Sequence, residues 1–298
     1  VIDGTHILDG SFEFGTEAHD VVILTGGMDP GSADTRAQDV ENPVADATWF
    51  GRDFLTGPSI QFTLGIRDLR AEMTGGPGDM WAIQARLAAA WRADRVRSTP
   101  GALSSLVFQR AGRVYRVWGR PRGFGLKPSE RADDTYTEAV GSFKLAAPTV
   151  EYDQLNQVTA QLLEASSDGG LVLPAVVPFE LRPGSQTRQG TATVGGTVPA
   201  CFTVTIRGPV TGALSQARVY GPGWSISLTK PVAYDQTVVI DTRTQMVTVN
   251  GASSPGLIGP RDRLDARLNP GAQILGFDGS DPSNTARATF AWRDTIPC

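Results

Sequence analysis

A chain of 298 residues is long for one hydrophobic core, and the usual size of about 100 to 200 residues per domain favours two domains. With 40% hydrophobic and 19% charged residues, 34 Gly and 20 Pro, the chain can bury an interior while turning often, which is the composition of many short strands. A net charge of −4 argues against a nucleic-acid binder, and no apolar run approaches the roughly 20 residues that a membrane-spanning helix needs.

The opening Val1-Ile2-Asp3-Gly4 has neither a basic nor an apolar leader region, so the expectation is a soluble protein that carries no signal peptide. Charge is unevenly placed. Residues 1–80 carry four arginines against fourteen carboxylates, a net of −10, whereas residues 81–131 carry eleven basic residues against Asp94 and Glu130, a net of +9. Only Cys201 and Cys298 are present, and a chain of this size has no need of a disulfide staple, so two free thiols are expected.

The first elements are short strands at 5–8, 12–14 and 21–24, mostly bounded by Gly or Asp. Residues 26–46 turn polar and poor in apolar positions, which predicts an extended loop or arm. In 59–66, Ile60, Phe62, Leu64 and Ile66 alternate with small or polar residues, so one face of this strand should enter the core.

A helix is predicted over about 79–97, with Asp79 as its cap and Met80, Ile83, Leu87 and Trp91 spaced by three and four. Pro100 cannot continue it. Leu106-Val107-Phe108 and the strand 114–118 flank Ala111-Gly112 as a hairpin, and a strand at 138–145 closes the segment. Ala146 to Thr149 reads as a linker, giving domains 1–147 and 148–298.

The second half reads almost wholly as strands, at 171–173, 202–207, 216–220, 225–228, 238–241, 247–250 and 286–292. Residues 158–163 fit either period, and the Ser-Ser-Asp-Gly-Gly that follows favours a strand. Such spacing suits a β-sandwich. The fold class expected is therefore mainly β, with two sandwich-like domains and one α-helix in the first.

Chemistry is hard to find in this sequence. His6 and His19 stand in unrelated contexts, and the nearest string to a nucleophile elbow, Gly251 to Gly256, is broken and follows Asn250 as a turn would. Gly75-Gly76-Pro77-Gly78 lacks the lysine of a phosphate loop. Two distant cysteines are no zinc set, and the turn Asp278 to Asn284 lacks the bidentate Glu of a calcium loop. Asp133-Asp134 and Asp262 with Asp265 read as ordinary loop acids. No catalytic residue, metal or cofactor is expected.

The arginine-rich stretch interleaves Trp91, Phe108, Tyr115, Trp118 and Phe124, but strand alternation places some of these rings in a core rather than on a nucleic-acid surface. Its arginines, Arg86, Arg92, Arg95, Arg113, Arg116 and Arg120, are candidates for a subunit interface in which the basic block of one copy meets the acidic block of the next. Complementary charge of that kind suits a closed ring.

Several strings resemble the distal tail proteins of siphophages that infect actinobacteria. They are Val238 to Gly251, the closing Ala286 to Asp294, Leu171 to Pro174 with Val177-Pro178-Phe179, and Ala47 to Asp53 followed by Ile60 to Thr63. An excess of arginine over lysine, twenty-four to three, suits a GC-rich genome.

The resemblance implies an N-terminal ring-forming domain, commonly a hexamer, and a C-terminal galectin-like β-sandwich. It also implies a place at the virion tail tip after assembly in the host cytoplasm. The implied partners are further copies of the chain, the tail tube protein, the tail-associated or baseplate hub protein and the tape-measure protein, with no membrane and no sequence-specific nucleic acid. It carries over no catalytic residue.

Two further readings stand beside it. A carbohydrate-binding tail-tip adhesin would need an exposed aromatic platform, for which Tyr220 and Trp224 are the candidates and Tyr234 is also available. A β-sandwich hydrolase would need two carboxylates, or a histidine and a nucleophile, in one pocket.

Overall fold

The computed structural model describes residues 3–74, 78–127, 136–161 and 189–298. The fold is mainly β and divides into two units, Val1–Asp153 with Ile296–Cys298, and Gln154–Thr295. The predicted strand at 171–173, the run 177–179, the pair Asp133-Asp134 and most of the glycine run at 75–78 lie outside the described residues.

The first unit begins with β1 (His6–Leu8), β2 (Phe12–Phe14) and β3 (Val21–Asp29). Then come the short strands β4 (Thr35–Arg36), β5 (Val40–Glu41), β6 (Thr48–Trp49) and β7 (Phe54–Leu55), followed by β8 (Ser59–Arg67). Helices α1 (Leu69–Thr74), α2 (Met80–Arg92) and α3 (Asp94–Arg97) lead to β9 (Ser104–Arg110), β10 (Arg113–Lys127), β11 (Tyr136–Leu145) and β12 (Thr149–Tyr152). The main sheet runs β2-β1-β9-β10-β11-β8-β3, and β12 adds to it through β10.

Burial on β8 alternates as its sequence predicts, with Ile60, Phe62, Leu64 and Ile66 inside. Helix α2 closes this core with Met80, Ile83, Leu87 and Trp91, and the Asp79 carboxylate accepts from the Ala82 N–H at 3.0 Å to cap it. The predicted single helix breaks at Ala93, whose φ of 46° ends α2 with a left-handed cap before α3 begins. Trp91 is the centre of the packing: its ring lies 5.8 Å from both Phe14 and Phe62, and its Nε1 donates to the Ser142 carbonyl at 3.1 Å. A Cβ at Gly141 would stand 2.6 Å from that indole, so only glycine fits beneath it.

Strand β10 runs well past the predicted 114–118. It passes through Pro121, opposite Phe143, and absorbs the irregularity in a register shift between Arg122 and Phe124. The stretch read as a linker leads directly into β12, which pairs with β10 at Tyr115↔Tyr152 and Arg116↔Glu151. The final strand of the chain, numbered β24 in chain order (Thr295–Pro297), joins β12, and the Cys298 N–H donates to the Pro148 carbonyl at 3.0 Å. The tail of the chain thus belongs to the first unit.

The second unit holds β13 (Asn156–Gln161), β14 (Gln189–Val194), β15 (Phe202–Arg207), β16 (Ala213–Gly221), β17 (Trp224–Ser227) and β18 (Val232–Ala233). It continues with β19 (Thr237–Asp241), β20 (Met246–Val249), β21 (Ala252–Ser253), β22 (Gly271–Ser280) and β23 (Arg287–Trp292). One sheet runs β13-β23-β15-β19-β20-β21 and the other β14-β22-β16-β17, with β18 also on β16. Inward residues of both sheets, among them Phe202, Val204, Val219, Ile240, Phe277 and Phe290, form one buried cluster, as a sandwich requires. Each such side chain stabilises the fold by about 1.5–3 kcal/mol through its removal from water.

Candidate functional site

The most unusual feature of the first unit is what it leaves uncovered. Residues 30–58 leave the sheet after β3 and return at β8 as a narrow ribbon. In it β4 pairs β7 at Thr35↔Leu55 and Arg36↔Phe54, and β5 pairs β6 at Val40↔Trp49 and Glu41↔Thr48. Its turns are closed internally, with the Gly51 N–H on the Asp39 carboxylate at 3.0 Å and the Thr56 N–H on the Asp34 carbonyl at 2.9 Å. At its root Gly57 passes so near the Leu145 carbonyl that a Cβ would stand 2.3 Å from that oxygen.

This ribbon is the predicted arm with corrected bounds. Asp29 still belongs to β3, and Ala47 to Asp53, one of the strings that carry the resemblance, lies out on the arm. Two aromatics of that run, Trp49 and Phe50, face solvent. They are 63% and 85% exposed, and Val44 is 90% exposed. Arg36 and Arg52 lie over the Phe54 ring at 5.2 and 5.0 Å. Residues 30–58 contain five carboxylates and two arginines, a net of −3.

The arginines of the basic block prove to have different employments. Arg116 is largely withdrawn from solvent and donates to Asp153 at 2.7 Å. Arg120 donates to the carbonyls of Ala102 and Thr99 at 2.8 and 2.9 Å. Arg92 pairs with Asp94 at 2.8 Å, Arg86 approaches Asp20 at 3.9 Å, and Arg95 bonds Asp9. The acidic and basic blocks therefore meet in part within one chain, at Arg86–Asp20 and Arg95–Asp9. Arg113 remains exposed and directly opposite Arg110 in the ladder; among the described residues these two, with Arg97 and Arg122, have no carboxylate partner.

In the second unit Tyr220 and Trp224 do not make one platform. They sit on adjacent strands, but Trp224 shares the face of Ile226 and packs 4.8 Å from Phe202 in the core. Tyr220 lies on the other face, over Gly276, with the Arg218 guanidinium 5.7 Å from its ring. Tyr234 is the exposed aromatic, at 61%.

The remaining candidates have structural employments. His6 lies among Phe14, Phe62 and Phe108, with Nδ1 2.8 Å from the Gly4 carbonyl. His19 Nδ1 is 2.9 Å from Thr16 Oγ1 and its Nε2 is 3.6 Å from Glu13. Burial works to raise the Asp281 pKa, but N–H donors from Ala286, Ser283 and Thr285 and the Ser283 hydroxyl outweigh it and hold the carboxyl below its ordinary range. That carboxylate organises the 278–284 turn.

Asp262 accepts from the Ser227 N–H at 2.9 Å and Asp265 pairs with Arg263 at 2.6 Å, so each is engaged locally. Among the described residues no three His, Cys, Asp or Glu side chains gather as a metal set, and Cys201 and Cys298 are not bonded to each other. No described helix is long and apolar enough to cross a membrane.

No protein-family model matches the chain, and no curated protein matches it. Solved structures do match. The Dit (gp 19.1) protein of phage SPP1, described as a paradigm of the hub adsorption apparatus in phages infecting Gram-positive hosts, superposes with a TM-score of 0.55 at 8% identity, covering 98% of each chain. A chain of the phage P2 baseplate in its activated conformation with Ca gives a TM-score of 0.55 at 11% identity over 97% of each chain. The Sr form of that baseplate gives 0.53 at 11% identity over the same share. The fold is thus Dit-like through both units, a likeness of architecture at identities where little sequence is shared.

Proposed function

We propose that this chain is a distal tail protein of a long-tailed phage, a non-catalytic component that forms a six-membered ring at the tail tip and joins the tail tube to the baseplate hub. The arm carries this reading. Trp49, Phe50 and Val44 extend from the body of their unit on a hydrogen-bonded ribbon, and apolar surface held out in that way is stabilised when another chain covers it. The arm is acidic, and the same unit presents Arg97, Arg110, Arg113 and Arg122 without carboxylate partners among the described residues.

An acidic, apolar projection and a basic acceptor face on one chain make a heterologous contact, which closes into a ring when the rotation between copies divides a full turn and carries no rise along the axis. Charge then sets register between copies and apolar burial supplies affinity. The Dit-like fold across nearly the whole chain supports the same place in a virion. The tail tube protein, the hub protein and the tape-measure protein in the lumen are the proposed further partners. Sedimentation of the full chain beside a variant with residues 32–56 replaced by a short Gly-Ser turn tests this reading. The full chain should assemble and the variant should remain a folded monomer; two assemblies of equal size would contradict it.

A further inference from the structure

The second unit carries a cleft lined by Arg207, Thr237 and Arg287 at strand ends and by the turns beside them. Arg207 on β15 and Arg287 on β23 are directly opposite in the ladder, both exposed, and neither has an ion-pair partner among the described residues. Like charges placed across a ladder destabilise a sheet. The two cations border an open cleft of about 550 Å³, within the range of small-ligand sites, and Tyr234 stands in its wall.

The cleft is formed by turns that hold themselves in place. The Val210 N–H donates to Thr285 Oγ1 at 2.8 Å, the Tyr234 N–H to the Gly212 carbonyl at 3.1 Å, and the Ala233 N–H to Gln236 Oε1 at 2.9 Å. Asp281 secures the turn that presents Thr285. Beside the arginines the outward face of the sheet continues as hydroxyls, with Thr159 Oγ1 3.1 Å from Thr289 Oγ1 and Thr205 opposite Thr289.

We infer that this cleft binds an acidic saccharide, with a sugar ring against Tyr234 and its negatively charged substituent between Arg207 and Arg287. Paired guanidiniums match the planar fork of a carboxylate or the oxygens of a phosphate, and an exposed aromatic presents an apolar face with a polar rim to a pyranose. Asp235 also lines the cleft, which leaves a net of one positive charge and disfavours bulk polyanion binding.

The test is calorimetry and saturation-transfer NMR on the full chain with digalacturonate, galactose 6-phosphate, neutral galactobiose and inorganic phosphate. At least one acidic saccharide should bind about tenfold more tightly than galactobiose and than phosphate alone. The double substitution R207Q/R287Q should remove that preference, and Tyr234→Ala should weaken the saccharide about fivefold while leaving phosphate unchanged. Because the parent places two cations side by side, the unliganded R207Q/R287Q protein should melt no lower than the parent, which separates lost binding from lost fold. Failure of both acidic saccharides to bind, equal binding of galactobiose or of phosphate, or undiminished binding in the folded double variant would overturn the inference. None of these outcomes bears on the ring.

Discussion

Arg95 donates through one nitrogen, Nη2, to both carboxylate oxygens of Asp9 at 3.0 Å, so the basic end of the helical segment is tied to the acidic N-terminal segment of the same chain. The Arg95 side chain is nonetheless 73% exposed. Exposed pairs of this kind contribute about 0–1 kcal/mol. Arg95→Ala should therefore lower stability by no more than about 1 kcal/mol in urea unfolding and should leave assembly intact.

The arginines that have no carboxylate partner among the described residues should behave differently. R110E/R113E reverses charge at the tip of the β9–β10 hairpin, where Arg110 and Arg113 face each other. Assembly should fail at an ionic strength of about 0.05 M and recover in part at about 0.5 M, because screening weakens both the native attraction and the new repulsion. Light scattering across a salt series reads this directly, and salt-independent assembly would exclude a role for these side chains.

Trp91 should dominate the stability of the first unit. Its side chain is fully buried, touches Phe14, Phe62 and Phe124, and spends its N–H on Ser142. Trp91→Ala should cost about 3–5 kcal/mol. Gly141→Ala should also destabilise, since the added methyl would displace the indole from below. Chemical unfolding of both variants checks the pair.

Acid should weaken the same region through His6. Burial lowers the His6 pKa below 6.5 and the bond to Gly4 offsets this only in part, while Nε2 has no hydrogen-bond partner among the described residues. The folded state thus favours neutral imidazole, whereas the unfolded chain takes up its proton near the ordinary value. The stabilisation is complete above that value, declines as the pH drops below it, and is gone once the folded value has been passed. Melting temperatures between about pH 7.5 and pH 5 should fall more steeply for the parent than for His6→Phe, which has nothing to titrate there.

Where packing follows local period, the sequence was readable. The alternation of Ile60, Phe62, Leu64 and Ile66 and the spacing of Met80, Ile83, Leu87 and Trp91 lead directly to buried faces. Strands whose partners supply the apolar contacts were not readable. Residues of β14 (Gln189–Val194) are small or polar, and β22 (Gly271–Ser280) is interrupted by glycines, so neither carries a strong signal of its own. The length of β10 was hidden by Pro121 and its neighbouring glycines.

The candidate sites divide in the same way. The arm was visible as a polar interruption, but its far half carries aromatics that imitate a core strand. The partners of Arg116, Arg120 and Arg95 lie 37, 18 and 86 positions away in the chain, distances at which charge counting finds a block but no pairs. Tyr220 and Trp224 are near neighbours in sequence, yet the strand period sends them to opposite faces.

The most direct measurement is cryo-electron microscopy of the purified full chain, resolved well enough to trace residues 30–58. A closed six-fold ring is expected, in which Trp49 and Phe50 of each copy are buried on the neighbouring copy, near its Arg110 and Arg113. A monomer at high concentration, or a ring whose arms project into solvent without touching a neighbour, would contradict it.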